Sequence, residues 1–153
     1  TARAFTKKYG TYIIDTDDLI ESKEKKEVKK IFAKKGEAYF RAQEQETANW
    51  IEKCVTGTFI SCGGGFYKVD NLKKLGTVVL LDASFEWIHN RLKTSKNPEK
   101  KLGKRPLFAQ EEEARKLYEE REKAYKKVAD VVIDVENLTL DEQITQIAKK
   151  CKV

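Results

Sequence analysis

Apolar residues along the chain fall into four short runs, set among longer stretches where hydrophobic positions recur every three or four residues. The runs Thr11–Asp15, Thr58–Cys62, Thr77–Asp82 and Val131–Asp134 are short, unbroken and rich in β-branched side chains, the pattern of strands buried on both faces. Between them the period becomes helical. Val28, Ile31 and Phe32 form a short stripe that stops at Gly36, a suitable C-terminal cap. A longer helix follows from about Glu37 to Cys54, with Phe40, Trp50 and Ile51 on its buried side. Ser84 is placed to cap a helix whose Phe85, Ile88 and Leu92 share a face. Another helix is predicted from about Glu111 to Val128, and a last one carries Leu140, Ile144, Ile147 and Cys151. Strands alternating with helices predict an α/β fold with a parallel sheet covered on both faces. One connector differs: residues 94–110 hold Pro98, Gly103 and Pro106 among lysines and Arg105, with little apolar surface to bury. It reads as a mobile linker or as a lid over a phosphate.

At 153 residues the chain is expected to form one domain, 1–153, with a real core. The 37% of charged residues and the net charge of +6 suit an anionic ligand. They do not imply nucleic acid, because no basic run is interleaved with aromatic residues; the lysines stand mostly beside glutamates on helices, as on a solvated face. Cys54, Cys62 and Cys151 show no CxxC spacing and His89 is the one histidine, so no zinc set is expected. Cys62 and Cys151 fall in apolar patterns and are expected to be buried free thiols in a reducing compartment. No leader, membrane-spanning or lipidation pattern is seen, which predicts a soluble, cytoplasmic protein with no membrane partner.

Chemistry gathers at three places. Asp15 and Asp17 follow Ile13-Ile14 at the end of the first predicted strand, where ligands collect in open α/β sheets. The pair can hold a metal through water or accept bonds from a polyhydroxylated substrate; equally, either acid can cap the next helix. Ser61-Cys62-Gly63-Gly64-Gly65 closes the second strand, and three glycines in a row imply either a tight turn or close approach of a ligand. Arg41 and Glu44 share a helix face as a surface ion pair, or as a carboxylate fixing a guanidinium that grips an anion. Arg121 could supply a second arginine to that anion, and Arg105, beside Pro106, a cation for a phosphate. His89 borders an apolar helix face and reads as structural.

Taken together, Ile14–Asp17 (IDTD), Ile31–Glu44 (IFAKKGEAYFRAQE), Ser61–Gly65 (SCGGG), Lys104–Phe108 (KRPLF) and Glu119–Tyr125 (EEREKAY) resemble the shikimate kinase family in order and approximate spacing, over essentially the whole chain. The resemblance implies a three-layer P-loop kinase fold, like that of nucleoside monophosphate kinases, with sheet order 2-3-1-4-5. It implies ATP- and Mg2+-dependent phosphorylation of the shikimate 3-hydroxyl, on the route to chorismate and the aromatic amino acids, by a monomer. It also implies site roles. Asp15 and Ser61 would hold Mg2+ through water. Asp17 would bind shikimate and orient or deprotonate the attacking hydroxyl. Arg41, held by Glu44, and Arg121 would grip the carboxylate, and Gly63, Gly64 and Gly65 would line the pocket. Arg105, on a lid of about 94–110, would neutralise the transferring phosphates, and Arg91 would lie near adenine. The shikimate-binding helical region would span about 16–55.

The same resemblance exposes a gap. The family's phosphate loop, GxxGxGK[ST], lies before its first helix, and Thr1-Ala2-Arg3-Ala4-Phe5 matches the start of that helix. The expectation is a sheet whose central first strand is missing here, and a chain inactive by itself because its phosphate-cradling amides, lysine and hydroxyl are absent. The alternatives are a non-catalytic shikimate-kinase-like binding protein, or another small-metabolite kinase of this fold, acting on gluconate or a nucleotide.

Overall fold

The computed structural model describes residues 1–94 and 111–152. The described elements are α1 (Ala2–Tyr9), β1 (Tyr12–Asp15), α2 (Thr16–Glu24), α3 (Val28–Cys54), β2 (Thr58–Ser61), two 3-10 turns (Phe66–Lys68 and Leu72–Lys74), β3 (Val79–Asp82), α4 (Phe85–Lys93), α5 (Glu111–Val128), β4 (Val131–Asp134) and α6 (Leu140–Cys151). They fall into two compact units, one of Thr1–Val78 with Ala148–Val153, the other of Val79–Ile147. Among the described residues, no helix is long and apolar enough to cross a membrane.

In the first unit β1 and β2 pair in parallel, with Tyr12 opposite Thr58 and Asp15 opposite Ser61. This register brings the polar ends of both strands side by side, where a βα unit exposes its binding groups. Two apolar clusters support them. Ala48 and Ile51 of α3 pack with Phe66 and Val69, and Ile60 of β2 lies against them; Ile20 of α2 packs with Ile31 and Phe40 of α3. The buried face of α3 thus runs through Phe40, Glu44, Ala48 and Ile51, a helical period that places one carboxylate among apolar residues. Trp50 lies off this face and is exposed, so the expectation that it joins the core is corrected: only Phe40 and Ile51 of the three residues follow the period. The segment after β2 is fastened to α3 by Gln45, which accepts from the Asp70 amide at 2.8 Å and donates to Asn71 Oδ1 at 3.0 Å.

α3 is continuous from Val28 to Cys54 except at Gly36, whose φ of 80° and ψ of 173° are non-helical. The sequence expectation of a stop at Gly36 and a new start at Glu37 therefore describes the backbone at that point. The break is braced from α2: Glu24 accepts from Lys35 Nζ at 2.9 Å and from Tyr39 Oη at 2.6 Å, one partner on each side of Gly36.

The second unit repeats the plan with β3 and β4, in parallel register from Val79–Val131 to Asp82–Asp134. Ser84 caps α4 through the Trp87 amide at 3.3 Å. His89 is buried and stacked on Phe85, a structural place. In α6, Ile144 and Ile147 are buried, but Leu140 is exposed because it begins the helix. No ladder joins the two strand pairs among the described residues. Three predicted strands prove shorter: β1 and β3 start later, and β2 ends at Ser61. The buried-thiol expectation is also corrected, since Cys54 and Cys62 are exposed and Cys151 is half-buried, all three free. The predicted lid lies outside the described residues from position 95 onward.

The conformation at Gly36 belongs to a region open almost only to glycine. Gly36→Ala, although nothing stands within 4 Å of the added methyl, should therefore cost about 1–3 kcal/mol in urea unfolding. An unchanged midpoint would mean that the break tolerates any residue.

Candidate active site

Asp15 ends β1 and caps α2. Its Oδ1 accepts from the amides of Asp17 at 3.0 Å and Asp18 at 3.3 Å, while its Oδ2 accepts from Ser61 Oγ at 2.9 Å. The capping reading of the paired acids is therefore what the free protein shows for Asp15, and it fixes the direction in which Asp17 leaves the helix. One residue on, Thr16 is fully buried, and its Oγ1 accepts from the Gly63 amide at 3.1 Å.

Asp17 projects over the glycine loop. A Cβ on Gly63 would lie 2.5 Å from Asp17 Oδ1, and a Cβ on Gly65 would lie 1.9 Å from Arg41 Nη1. Neither glycine has a positive φ, so both are needed for close approach and not for an unusual turn. The SCGGG motif is thus the floor on which a carboxylate and a guanidinium both rest. The Gly63 amide is already committed to Thr16, and its carbonyl accepts from the Phe66 amide at 3.1 Å.

Arg41 is held from two sides. Nη1 donates to Glu44 Oε2 at 2.6 Å, and Nε and Nη2 donate to Glu37 Oε1 at 3.2 and 3.0 Å. Burial opposes the guanidinium's charge, but the bonds and charges of Glu44 and Glu37 outweigh it and hold Arg41 above its usual range. Glu44 is 1% exposed, so the surface-pair reading of this i,i+3 pair is corrected. A carboxylate this deep needs a fixed cation, and its salt bridge sits where the apolar face of α3 meets the site.

Asp17 has the opposite problem. It lies in the first turn of α2, where a helix dipole favours a carboxylate. Burial nonetheless raises its pKa from 3.8 to about 6, aided by the negative charges of Asp15, Glu44, Glu21 and Asp18. Its Oδ1 is buried without a hydrogen-bond partner among the described residues. Native proteins seldom leave such an acceptor unmatched unless a ligand or ion completes it. Desolvation first, and then the charges of Asp15, Asp17 and Glu44, push the Cys62 thiol up to about 12.

The first unit thus brings together Asp15 with Ser61, Asp17 with Gly63, and Arg41 with Glu44 and Gly65. Arg121 and Arg91 belong to the second unit. Arg121 is half-buried on α5 with no hydrogen-bond or ion-pair partner among the described residues, and Arg91 lies over the Trp87 ring at 4.8 Å. Arg105 is outside the described residues. Two site residues escaped the sequence reading. Glu37 was signalled by its i,i+4 spacing to Arg41; Thr16 had no signal beyond its place between two acids.

The family model described as shikimate kinase matches residues 1–152. A shikimate kinase of Helicobacter hepaticus is 37% identical over 82% of this chain and 72% of its own length. A second, of Sulfurihydrogenibium sp., is 34% identical over 98% of this chain and 88% of its own. The crystal structure of the Aquifex aeolicus shikimate kinase, 30% identical, superposes with a TM-score of 0.75 over 99% of this chain and 87% of that one.

The raised pKa of Asp17 has a consequence for stability. The folded state holds the proton more tightly than the unfolded state, so this group's contribution is greatest below pH 3.8 and is lost as pH rises through about 6. Asp17→Asn removes that loss. Its thermal midpoint, compared with that of the parent, should improve as pH increases from 4 to 8. A difference independent of pH would contradict the assignment.

Proposed function

The chain belongs to the shikimate kinase family, and on that premise we propose that its first unit binds shikimate and directs its 3-hydroxyl at the γ-phosphate of ATP. The observation that carries the reading is the unmatched, buried Oδ1 of Asp17, next to a guanidinium fixed on the same glycine floor. A small hydroxylated carboxylate supplies a donor for Asp17 and an anion for the Arg41 N–H groups that Glu44 and Glu37 do not engage.

In this reading Arg41 takes the shikimate carboxylate with charge-assisted bonds, and Glu44 and Glu37 keep its fork from collapsing onto solvent. Arg121, half-buried and unpaired among the described residues, is the second cation for that carboxylate. Asp17 accepts the 3-hydroxyl proton. A base with a pKa near 6 is largely ionised at neutral pH yet basic enough to assist. Gly63, Gly64 and Gly65 give the substrate ring a floor without side chains. Phosphoryl transfer depends chiefly on positioning and charge neutralisation, so rigid first-unit contacts are where this chain contributes most.

ATP is the phosphoryl donor of the family, and Arg91 and Arg105 are the residues we assign to it. The half-buried Asp15–Ser61 pair suits Mg2+, a hard cation that keeps most of its waters and needs few protein oxygens. There the ion would neutralise phosphate charge. We further infer the family's sheet order 2-3-1-4-5, supported by the parallel pairings β1–β2 and β3–β4, which would be its pairs 2-3 and 4-5. The central strand of that order is none of those described. Free thiols at Cys54, Cys62 and Cys151 suit the cytoplasmic placement expected from the sequence, and the monomeric state is carried with it.

Coupled assay of ADP release by the full-length enzyme with shikimate, gluconate or nucleoside monophosphates tests the assignment; turnover only with the latter two would overturn it. Arg41→Ala should raise KM for shikimate about ten- to a hundredfold, the value of losing hydrogen bonds to a charged group, with little change in kcat. Asp17→Asn should lower kcat by about 10²–10⁴-fold. Wild-type kinetics in both variants would remove the site.

A further inference from the structure

We propose that Thr16 is a positioning residue for this reaction: its hydroxyl, through the Gly63 amide, fixes the glycine floor under the Asp17 carboxylate. The inference rests on the functional reading above and extends it to a residue that touches neither substrate nor phosphate.

The geometry leaves the side chain little other purpose. Thr16 is 0% exposed and stands between the residue that caps α2 and the acid that meets the substrate. Its Oγ1 receives the Gly63 N–H at 3.1 Å, and Gly63 is the residue whose added Cβ would fall 2.5 Å from Asp17 Oδ1. A β-branched side chain at a helix start has few rotamers, so the acceptor is presented in a fixed direction. The loop therefore cannot shift relative to Asp17 without breaking this part-buried hydrogen bond. Ser61 Oγ to Asp15 Oδ2, at 2.9 Å, ties the same loop to the preceding residue of the same turn. Two successive residues thus dock the loop, and the second does so directly beneath the reacting acid.

Loss of the hydroxyl would let the floor retreat from beneath the Asp17 carboxylate and admit water there. The ionisable groups around Asp17 are Asp15, Asp18 and Glu21 on its own segment, Glu44 with its partner Arg41 on α3, and Cys62 on the loop. Substitution at Thr16 alters none of them.

The test compares Thr16→Val, which keeps the shape and deletes the acceptor, with Thr16→Ser, which keeps the acceptor. Thr16→Val should lower kcat by about tenfold or more, within the range expected of small misplacements. KM for shikimate and for ATP should hold, so that the loss falls on kcat alone, and Thr16→Ser should restore kcat. A merely structural threonine would lower the thermal midpoint of Thr16→Val while leaving kcat at the parent value, and that result overturns the proposal, as does a serine variant as slow as the valine. If Thr16→Val does not fold, Thr16→Ala assayed at low temperature replaces it with the same expectations. Failure of the wild-type enzyme to release ADP with shikimate would overturn the functional reading as well, whereas an active wild type with an unaffected Thr16→Val overturns this inference alone.

Discussion

One carboxylate organises the site: Asp15. Its two oxygens accept from the first turn of α2 and from the end of β2, so a single residue joins the ends of two strands to the start of a helix. Such a junction is over-determined. The parallel register fixes Asp15 opposite Ser61, the cap fixes the axis of α2, and the axis fixes where Asp17 emerges. Capping and ligand binding therefore do not compete for this residue. The cap is what makes the second acid's position reproducible, and Oδ2, which accepts from the Ser61 hydroxyl, has a second lone pair with which to meet a hydrated ion.

The charges around that junction are unbalanced by design of the fold. Asp15, Asp17 and Glu44 crowd a small volume, with Arg41 as the cation bound there. Glu44 is held by Arg41, whereas Asp17, desolvated by burial first and then repelled by the neighbouring acids, holds its proton more tightly. Environment thus divides the carboxylates into a fixed partner and a titrating one, although all are chemically alike. This division is the usual route by which a fold makes one of several acids reactive near neutral pH.

Much of this was legible in the residues. The four strands, the Ser84 cap, the break at Gly36 and the span of α5 follow from apolar runs, cap chemistry and helical period, all local signals. Asp17, Arg41 and the glycine loop could be named individually, but their meeting could not, because contact between positions 17, 41 and 63–65 depends on how α2 and α3 fold back on the strands. The errors have the same origin. Trp50, Leu140 and the cysteines were assigned by hydrophobicity, whereas a helix face only about a third of a turn wide decides which apolar residues are covered. Glu44 inverted that rule, a charged residue buried because a half-buried arginine holds it. Thr16 was invisible because a hydroxyl's role lies entirely in what its acceptor faces.

The break in α3 bears on how this region can change over evolutionary time. In an unbroken helix each inserted or deleted residue turns everything beyond it by about 100°, so any length change upstream would swing Arg41 and Glu44 away from the glycine floor. Gly36, with its non-helical φ and ψ, interrupts the transmission of that rotation. The segment from Val28 to Lys35 can alter in length or pitch while the phase of the segment from Glu37 onward stays set by its own packing. Gly36 thus insulates the angular register of Arg41 and Glu44 from drift in the helix that leads into them.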